Sequence, residues 1–200
     1  MNFFTLMFFI STHSFSQDTI NLQNGKQIIA KIYFFDTGNT FIKYNVIIKD
    51  KLKLKTLDKL DIFSINYADK SQKILYSQDS ALGYPLSVSE MEHFMLGGRE
   101  AMKNYKAPWI TVFGFVIGAV ATEYLHFWGL SSTIAYPIGA GITGVKIKTS
   151  NNVNSDLKSN KDFIDGYKTY ATKKKVKNAL FGSIIGTATT IIATIIITAK

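Results

Sequence analysis

Twenty-two consecutive residues, Asn178–Ala199, carry no charged side chain. As a helix rising 1.5 Å per residue, the run reaches about 33 Å, enough to cross the ~30 Å hydrocarbon core of a bilayer. Seven of its residues are isoleucine, which together favour insertion by roughly 2–4 kcal/mol. The run "TTIIATIIITA" is β-branched and would also suit buried strands, but its length without a turn signal reads as one membrane helix.

A second apolar block, residues 107–145, holds Glu123 as its one charged residue. It reads as two spans. Ala107–Trp128 closes on Tyr124, Phe127 and Trp128, aromatic residues of the kind found where a helix leaves the bilayer. Gly129 breaks the pattern, and Leu130–Ile147 returns with Pro137 as a kink. A single span is the alternative, and the choice decides topology. With two spans, the segments before and after the block share one side of the membrane; with one, they lie on opposite sides.

Charge supports a membrane reading. The formal net charge is +9, and residues 146–177 contribute nine Lys and three Asp. The basic excess therefore lies between apolar blocks, as a membrane flank does, and no nucleic-acid partner is expected. Lys173, Lys174, Lys175 and Lys177 form its densest part. They read as a stop signal and as contacts to anionic lipid head groups, at about 1 kcal/mol per lysine. The absence of cysteine excludes disulfides, zinc–cysteine sites and thiol catalysis.

At the N-terminus, "MNFFTLMFFISTHSFSQDT" reads as a signal peptide over residues 1–16. It has a short apolar core, Phe3–Ile10, and small residues Ser14 and Ser16 before a cut at Gln17. Residues 17–78 carry strand signals. "DTINLQNG" ends in an Asn24-Gly25 turn, and "KQIIAKIYFF", "TFIKYNVII", "KLKLKTL", "DIFSINYA" and "QKILY" follow between turns. Five or six short strands suggest a small closed barrel or roll. Its core would draw on Ile20, Leu22, Ile29, Ile32, Phe34, Ile42, Leu52, Leu54, Leu57, Ile62, Ile65 and Leu75. In "KLKLKTL" the leucines would point in and the lysines out.

Residues 87–106 read as an amphipathic helix with a Ser89/Glu92 capping box, weakened by Gly97-Gly98 at about 1 kcal/mol per glycine. This helix and the block after it have an echo. "FMLGGREAMKNYK" (94–106) and "FIDGYKTYATKKKVKNALFGSIIG" (163–186) share F-x-x-G and lysine-rich neighbours. "FGFVIGA" (113–119) matches "FGSIIGT" (181–187) after a gap of about one residue. Gly114/Gly118 and Gly182/Gly186 are G-x-x-x-G pairs, each on one helix face, and allow two helices to approach closely. "GAGITG" (139–144) offers a third small-residue face, and Ser183 reads as lying on a different face from the glycines.

No catalytic constellation is legible. His93 beside Glu92 reads as a solvated helix face, and His126 near Glu123 as an interfacial helix end; neither has further ligands nearby. Phosphate-loop and G-x-S-x-G patterns are absent.

Two pieces carry a resemblance: the β-segments "QDTINLQNGKQIIAKI" (17–32), "FIKY" (41–44) and "DIFSINYADKSQKILY" (61–76), and the paired helical segments at 94–106 and 163–186. In these the chain resembles a group of uncharacterised exported envelope proteins of Bacteroidota-type bacteria, over most of residues 17–190. It departs from them in lacking basic residues before the signal core and in its more apolar helices. The resemblance implies export and a small β-domain joined to membrane-associated helices; it implies no activity.

The expectation is thus an α+β protein. A signal peptide (1–16) precedes a β-module (17–78), an amphipathic helix (87–106), an apolar helical hairpin (107–147), a Lys-rich linker or helix (148–177) and a transmembrane helix (178–199). It would be a non-enzymatic, membrane-anchored envelope protein with an extracytoplasmic interaction module and no cofactor. Its partners would be membrane lipids, a further copy of itself or another envelope protein. Alternatives are a small oligomeric channel or transporter subunit, with Glu123 and His126 lining a path, and a peripheral enzyme.

Overall fold

The structure, a computed structural model, describes residues 17–34, 38, 40–48, 51–150, 153 and 155–199, apart from the side chains of residues 33, 34, 48 and 126–128. The signal segment 1–16, most of the turn at 36–39, the core position expected at Phe34 and the side chains of His126, Phe127 and Trp128 lie outside the described residues. The chain divides into two units, Met1–Tyr76 and Ser77–Lys200.

In the first unit six strands form one antiparallel sheet: β1 (Asp18–Leu22), β2 (Gln27–Phe34), β3 (Phe41–Ile48), β4 (Lys51–Asp58), β5 (Ile62–Asn66) and β6 (Gln72–Ile74). The strand order is β4-β3-β2-β1-β5-β6. Gly25, at φ 79°, supplies the left-handed residue that turns β1 into β2. The sheet is open, which corrects the expected barrel. Closure would need a ladder between β4 and β6, and β6 has three residues. Residues 51–56 of β4 are exposed, so the strand runs on past the core.

The core gathers Ile20, Leu22, Ala30, Ile42, Tyr44, Ile62 and Ile65 on one face of the sheet, with Ile28, Ile32, Val46, Leu57, Tyr67 and Leu75 packed around them. Buried polar groups are paired. Asn21 donates to the Ser64 hydroxyl at 3.0 Å, and the Asp18 carboxylate accepts from the backbone of Ile32 at 3.1 Å and Ala68 at 3.0 Å. Three expected core residues are outside. Ile29 is 61% exposed, Leu52 67% and Leu54 62%. Registers explain this. Asn45 opposes Leu54 and Ile47 opposes Leu52, whereas buried Tyr44 opposes Lys55 and core-packed Val46 opposes Lys53. Lys53 and Lys55 therefore share the core face while Leu52 and Leu54 face away, the reverse of the expected alternation; Leu57, past Thr56, packs against the core as expected. A shift of one residue moves every side chain to the other face.

The second unit begins with α1 (Val88–Asn104), then α2 (Pro108–Leu125), a 3-10 turn (His126–Ser131), α3 (Ser132–Ile142), the short α4 (Ser155–Ser159) and α5 (Lys161–Thr198). The capping box of α1 is Ser87 with Glu90, not Ser89 with Glu92. Two S-x-x-E patterns overlap here. The Ser87 choice places Leu86 and Met91 at the apolar positions flanking the cap, the arrangement of a hydrophobic staple.

α3 has 11 residues, about 16 Å of helix, too short for the second span expected over Leu130–Ile147. The return arm of the hairpin is thus partial. α5 runs unbroken for 38 residues, about 57 Å, so residues 161–177 of the Lys-rich segment are helix continuous with the apolar run. By length and composition, α2 and α5 are the two described helices that could cross a membrane.

Candidate functional site

The glycines of the doubled motif meet along two seams. In α2 and α5, a methyl added at Gly114 would lie 2.7 Å from the Ala179 carbonyl oxygen, closer than real Cβ atoms come. One at Gly118 would strike the Ser183 carbonyl oxygen, one at Gly182 that of Thr111, and one at Gly186 that of Phe115. In α1 and α5 the same happens, Gly97 against the Phe163 carbonyl and Gly166 against that of Phe94. A single rule covers all six. Each glycine faces the carbonyl three residues before its counterpart in the other copy. The contacts advance together along both helices, so α1 and α2 run parallel to α5, and the two copies are related as the halves of a symmetric pair.

The repeat offset differs between the seams. Gly97 and Gly166 are 69 residues apart; Gly114 and Gly182, like Gly118 and Gly186, are 68 apart. The extra residue is absorbed at the non-helical break between α1 and α2, ahead of Pro108, where α5 continues straight. Gly97 and Gly98 are buried, with Gly98 against the Tyr170 ring. They are points of close approach rather than weak spots in α1.

Hydroxyls reinforce the seam. Thr122 donates to the Gly118 carbonyl at 2.7 Å and stands 3.3 Å from the Thr187 hydroxyl. Thr133 of α3 reaches the same Thr187 at 3.1 Å, and Thr190 donates to the Ala119 carbonyl at 3.3 Å. One threonine cluster thus ties α2, α3 and α5. Ser183 belongs to the seam too. It is fully buried, and its hydroxyl donates to Ala179, so it does not lie on a separate face. The small-residue stretch 139–144 contributes in part: Ala140 is buried and a methyl added at Gly141 would lie 3.1 Å from the Val176 side chain of α5, whereas Gly139 and Gly144 look onto open space.

The lysine tetrad separates by placement. Lys175 is buried; its ammonium donates to the Thr143 carbonyl at 3.1 Å and to the Thr143 hydroxyl, at the C-terminal end of α3. Lys174 donates to the Met102 carbonyl at 2.8 Å, in the last turn of α1. Each cation thus satisfies carbonyls at the negative end of a helix. Lys173 lies 5.0 Å from the Tyr170 ring centroid. Lys173 and Lys177 are exposed and remain the members free to meet a head group. Sequence spacing did not separate these roles, because they depend on where α1 and α3 end beside α5.

Beside them the Tyr167 hydroxyl, on a fully buried residue, both donates to the Lys148 carbonyl (2.9 Å) and accepts from its N–H (3.0 Å), pinning the segment after α3. Burial, with Tyr167 nearby, raises the Tyr105 hydroxyl above its ordinary pKa. His93, expected on a solvated face, is half-buried, 3.3 Å from the Asn160 amide at the cap of α5.

Glu123 is exposed in the last turn of α2. It borders a groove of about 330 Å³ with Thr122, Leu130, Ile191, Thr194, Ile195 and Thr198. No group of three or more His, Asp or Glu is placed to hold a metal ion among the described residues. Compared with known proteins, the chain matches no family model, no curated protein and no solved structure.

Proposed function

We propose that this chain is a non-enzymatic, membrane-anchored protein of the cell envelope. The helical unit would be the anchor and the β-unit an extracytoplasmic interaction module. One observation carries the anchor: the part of the helical unit formed by α2 and the C-terminal half of α5 is built inside out. Its seam holds glycine, serine, threonine and alanine, while Phe113, Phe115, Val116, Val120, Ile192 and Ile195–Ile197 are exposed. In water such a surface would be a large uncovered apolar patch. In lipid it is the expected outside, with association left to close backbone packing and hydroxyl bonds. Trp109 and Tyr124, 70% and 78% exposed at opposite ends of α2, suit the two interfacial aromatic belts.

On this reading, both spanning helices start on one side of the bilayer. The lysines of residues 168–177 and the segment leading into α1 share that side, because α3 and the segment after it bring the chain back. The positive-inside tendency would put that side in the cytoplasm, whereas export of the β-unit would put it outside. Single cysteines at Ser80 and Lys173, labelled with a membrane-impermeant maleimide in intact cells, decide this without interference from native thiols. Labelling of both supports the extracytoplasmic module; labelling of neither places it inside. Release of the protein into the supernatant by alkaline carbonate would sink the anchor itself. A channel or transporter subunit is the second reading, favoured by Glu123 on its threonine-lined groove. Conductance in reconstituted vesicles, abolished by Glu123→Gln, would select it.

A further inference from the structure

β4 turns Leu52 and Leu54 to the side away from the core, with Lys53 and Lys55 on the core side and Leu57 packed against the core. The face that results is specific. Phe41 (53% exposed), Ile47 (62%), Leu52, Leu54 and Ile29 lie on the outer side of β2, β3 and β4. Lys31, which opposes Asn45, and Lys43, which opposes Thr56, share it. Asp58, opposite Phe41, is the acid at its far end. A concavity of about 570 Å³, bordered by Ile29, Lys31, Asn45, Ile47 and Leu52, runs along it.

Aliphatic and aromatic side chains interspersed with lysine are the composition of a surface that enters the head-group region of an anionic bilayer. We propose that this face of the β-unit docks on anionic lipid, with Leu52, Leu54, Ile47 and Phe41 entering the interface and Lys31 and Lys43 meeting phosphates. The proposal rests on the membrane-anchor reading, since the anchor would hold the sheet near a bilayer and leave a weak surface interaction effective.

Two other occupants fit less well. Pairing of β4 with β4 of a second copy would set Lys51, Lys53 and Lys55 against their own equivalents, a like-charge cost. Alternating lysine on an edge strand is also a device that discourages strand addition by other chains.

The test uses the full chain in lipid nanodiscs, with one cysteine at a time carrying an environment-sensitive fluorophore. Leu54→Cys reports the proposed face, Lys55→Cys the opposite face of the same strand, and Ile192→Cys the anchor. The discs contain phosphatidylcholine alone or with phosphatidylglycerol, each with and without lipids spin-labelled near the head group. In phosphatidylglycerol the Leu54 label should shift to the blue and be quenched several-fold more than the Lys55 label. Lys31→Glu with Lys43→Glu should reduce that quenching. If the Leu54 label stays as water-exposed as the Lys55 label while the Ile192 label is shielded from water, docking is wrong and the anchor stands. A Leu54 label that is blue-shifted but not quenched by lipid would mean that protein covers the face, and would also overturn the proposal. An Ile192 label open to water overturns the anchor reading and this inference with it.

Discussion

At the scale of single residues, the lysines of α5 show how one residue type takes different tasks. Lys175 is a buried ammonium held by the Thr143 carbonyl and hydroxyl. Removing it would strand those acceptors at a helix end. Lys175→Met should lower stability by about 1.5–3 kcal/mol, read as a fall in the thermal midpoint in detergent. Lys173→Met, at an exposed position, should stay within about 0.5 kcal/mol. If the two variants melt together, the ammonium does not cap α3.

Glu90 makes a second residue-scale case. Hydrogen bonds from the Ser87 backbone, then from its side chain, hold the Glu90 carboxyl below its ordinary value of 4.5. A depressed carboxyl stabilises the fold above the unfolded value, and that contribution is lost as pH falls through the folded one. Amides in the first turn of α1 should therefore exchange faster, relative to the unfolded chain, once the pH drops below 4.5, and Glu90→Gln should abolish that pH dependence. An unchanged acid response in the Gln variant would assign it to another carboxyl.

At the scale of elements, strands and helices were legible in unequal degree. The six strands follow from alternation and turn residues, and Gly25 turns where Asn24-Gly25 says it should. Which face is buried did not follow. Alternation marks two faces, but only neighbouring strands decide which is covered, and in β4 the partners Tyr44 and Val46 draw Lys53 and Lys55 to the core side. The glycine pairs were visible as spacing. That they meet each other within one chain depends on α2 and α5 running parallel, a property of the intervening α3 and not of either helix.

The seam makes a sharp prediction. Gly182→Ile or Gly186→Ile must displace a backbone carbonyl, which cannot yield as a side-chain tip would. Either variant should lower stability by at least about 1–3 kcal/mol or make the protein protease-sensitive in detergent. Phe181→Ile, at a position 61% exposed, is the proper control and should have little effect; Ser183, buried beside Gly118, cannot serve. Equal behaviour of Phe181→Ile and Gly182→Ile would mean that the seam does not hold the helices together.

At the scale of the molecule, two units of opposite construction share one chain. The β-unit buries isoleucines in its core and carries the lysines of β4 exposed at its edge. The α2–α5 part of the helical unit does the opposite, burying glycine, serine and threonine and exposing its isoleucines. Under the proposed anchor reading, a lipid environment would reconcile the two. Moving the protein from lipid to a detergent with a shorter apolar belt should disturb the second unit first. Circular dichroism during heating should then show helix loss before strand loss in short-chain detergent, and the order should tighten or reverse in nanodiscs. Loss of both signals in one transition in every medium would mean that the units do not unfold independently.

The reciprocal glycine contacts bear on mass action. Each half of the doubled segment presents the surface that the other half needs, and the connecting chain holds both at a fixed, high effective concentration. The association that a single-span glycine helix must find by diffusion in the bilayer is here intramolecular. Packing of the two halves is therefore independent of expression level, and dilution should leave it intact. Any higher oligomer has to use another surface, since the glycine faces are already occupied by their own counterparts.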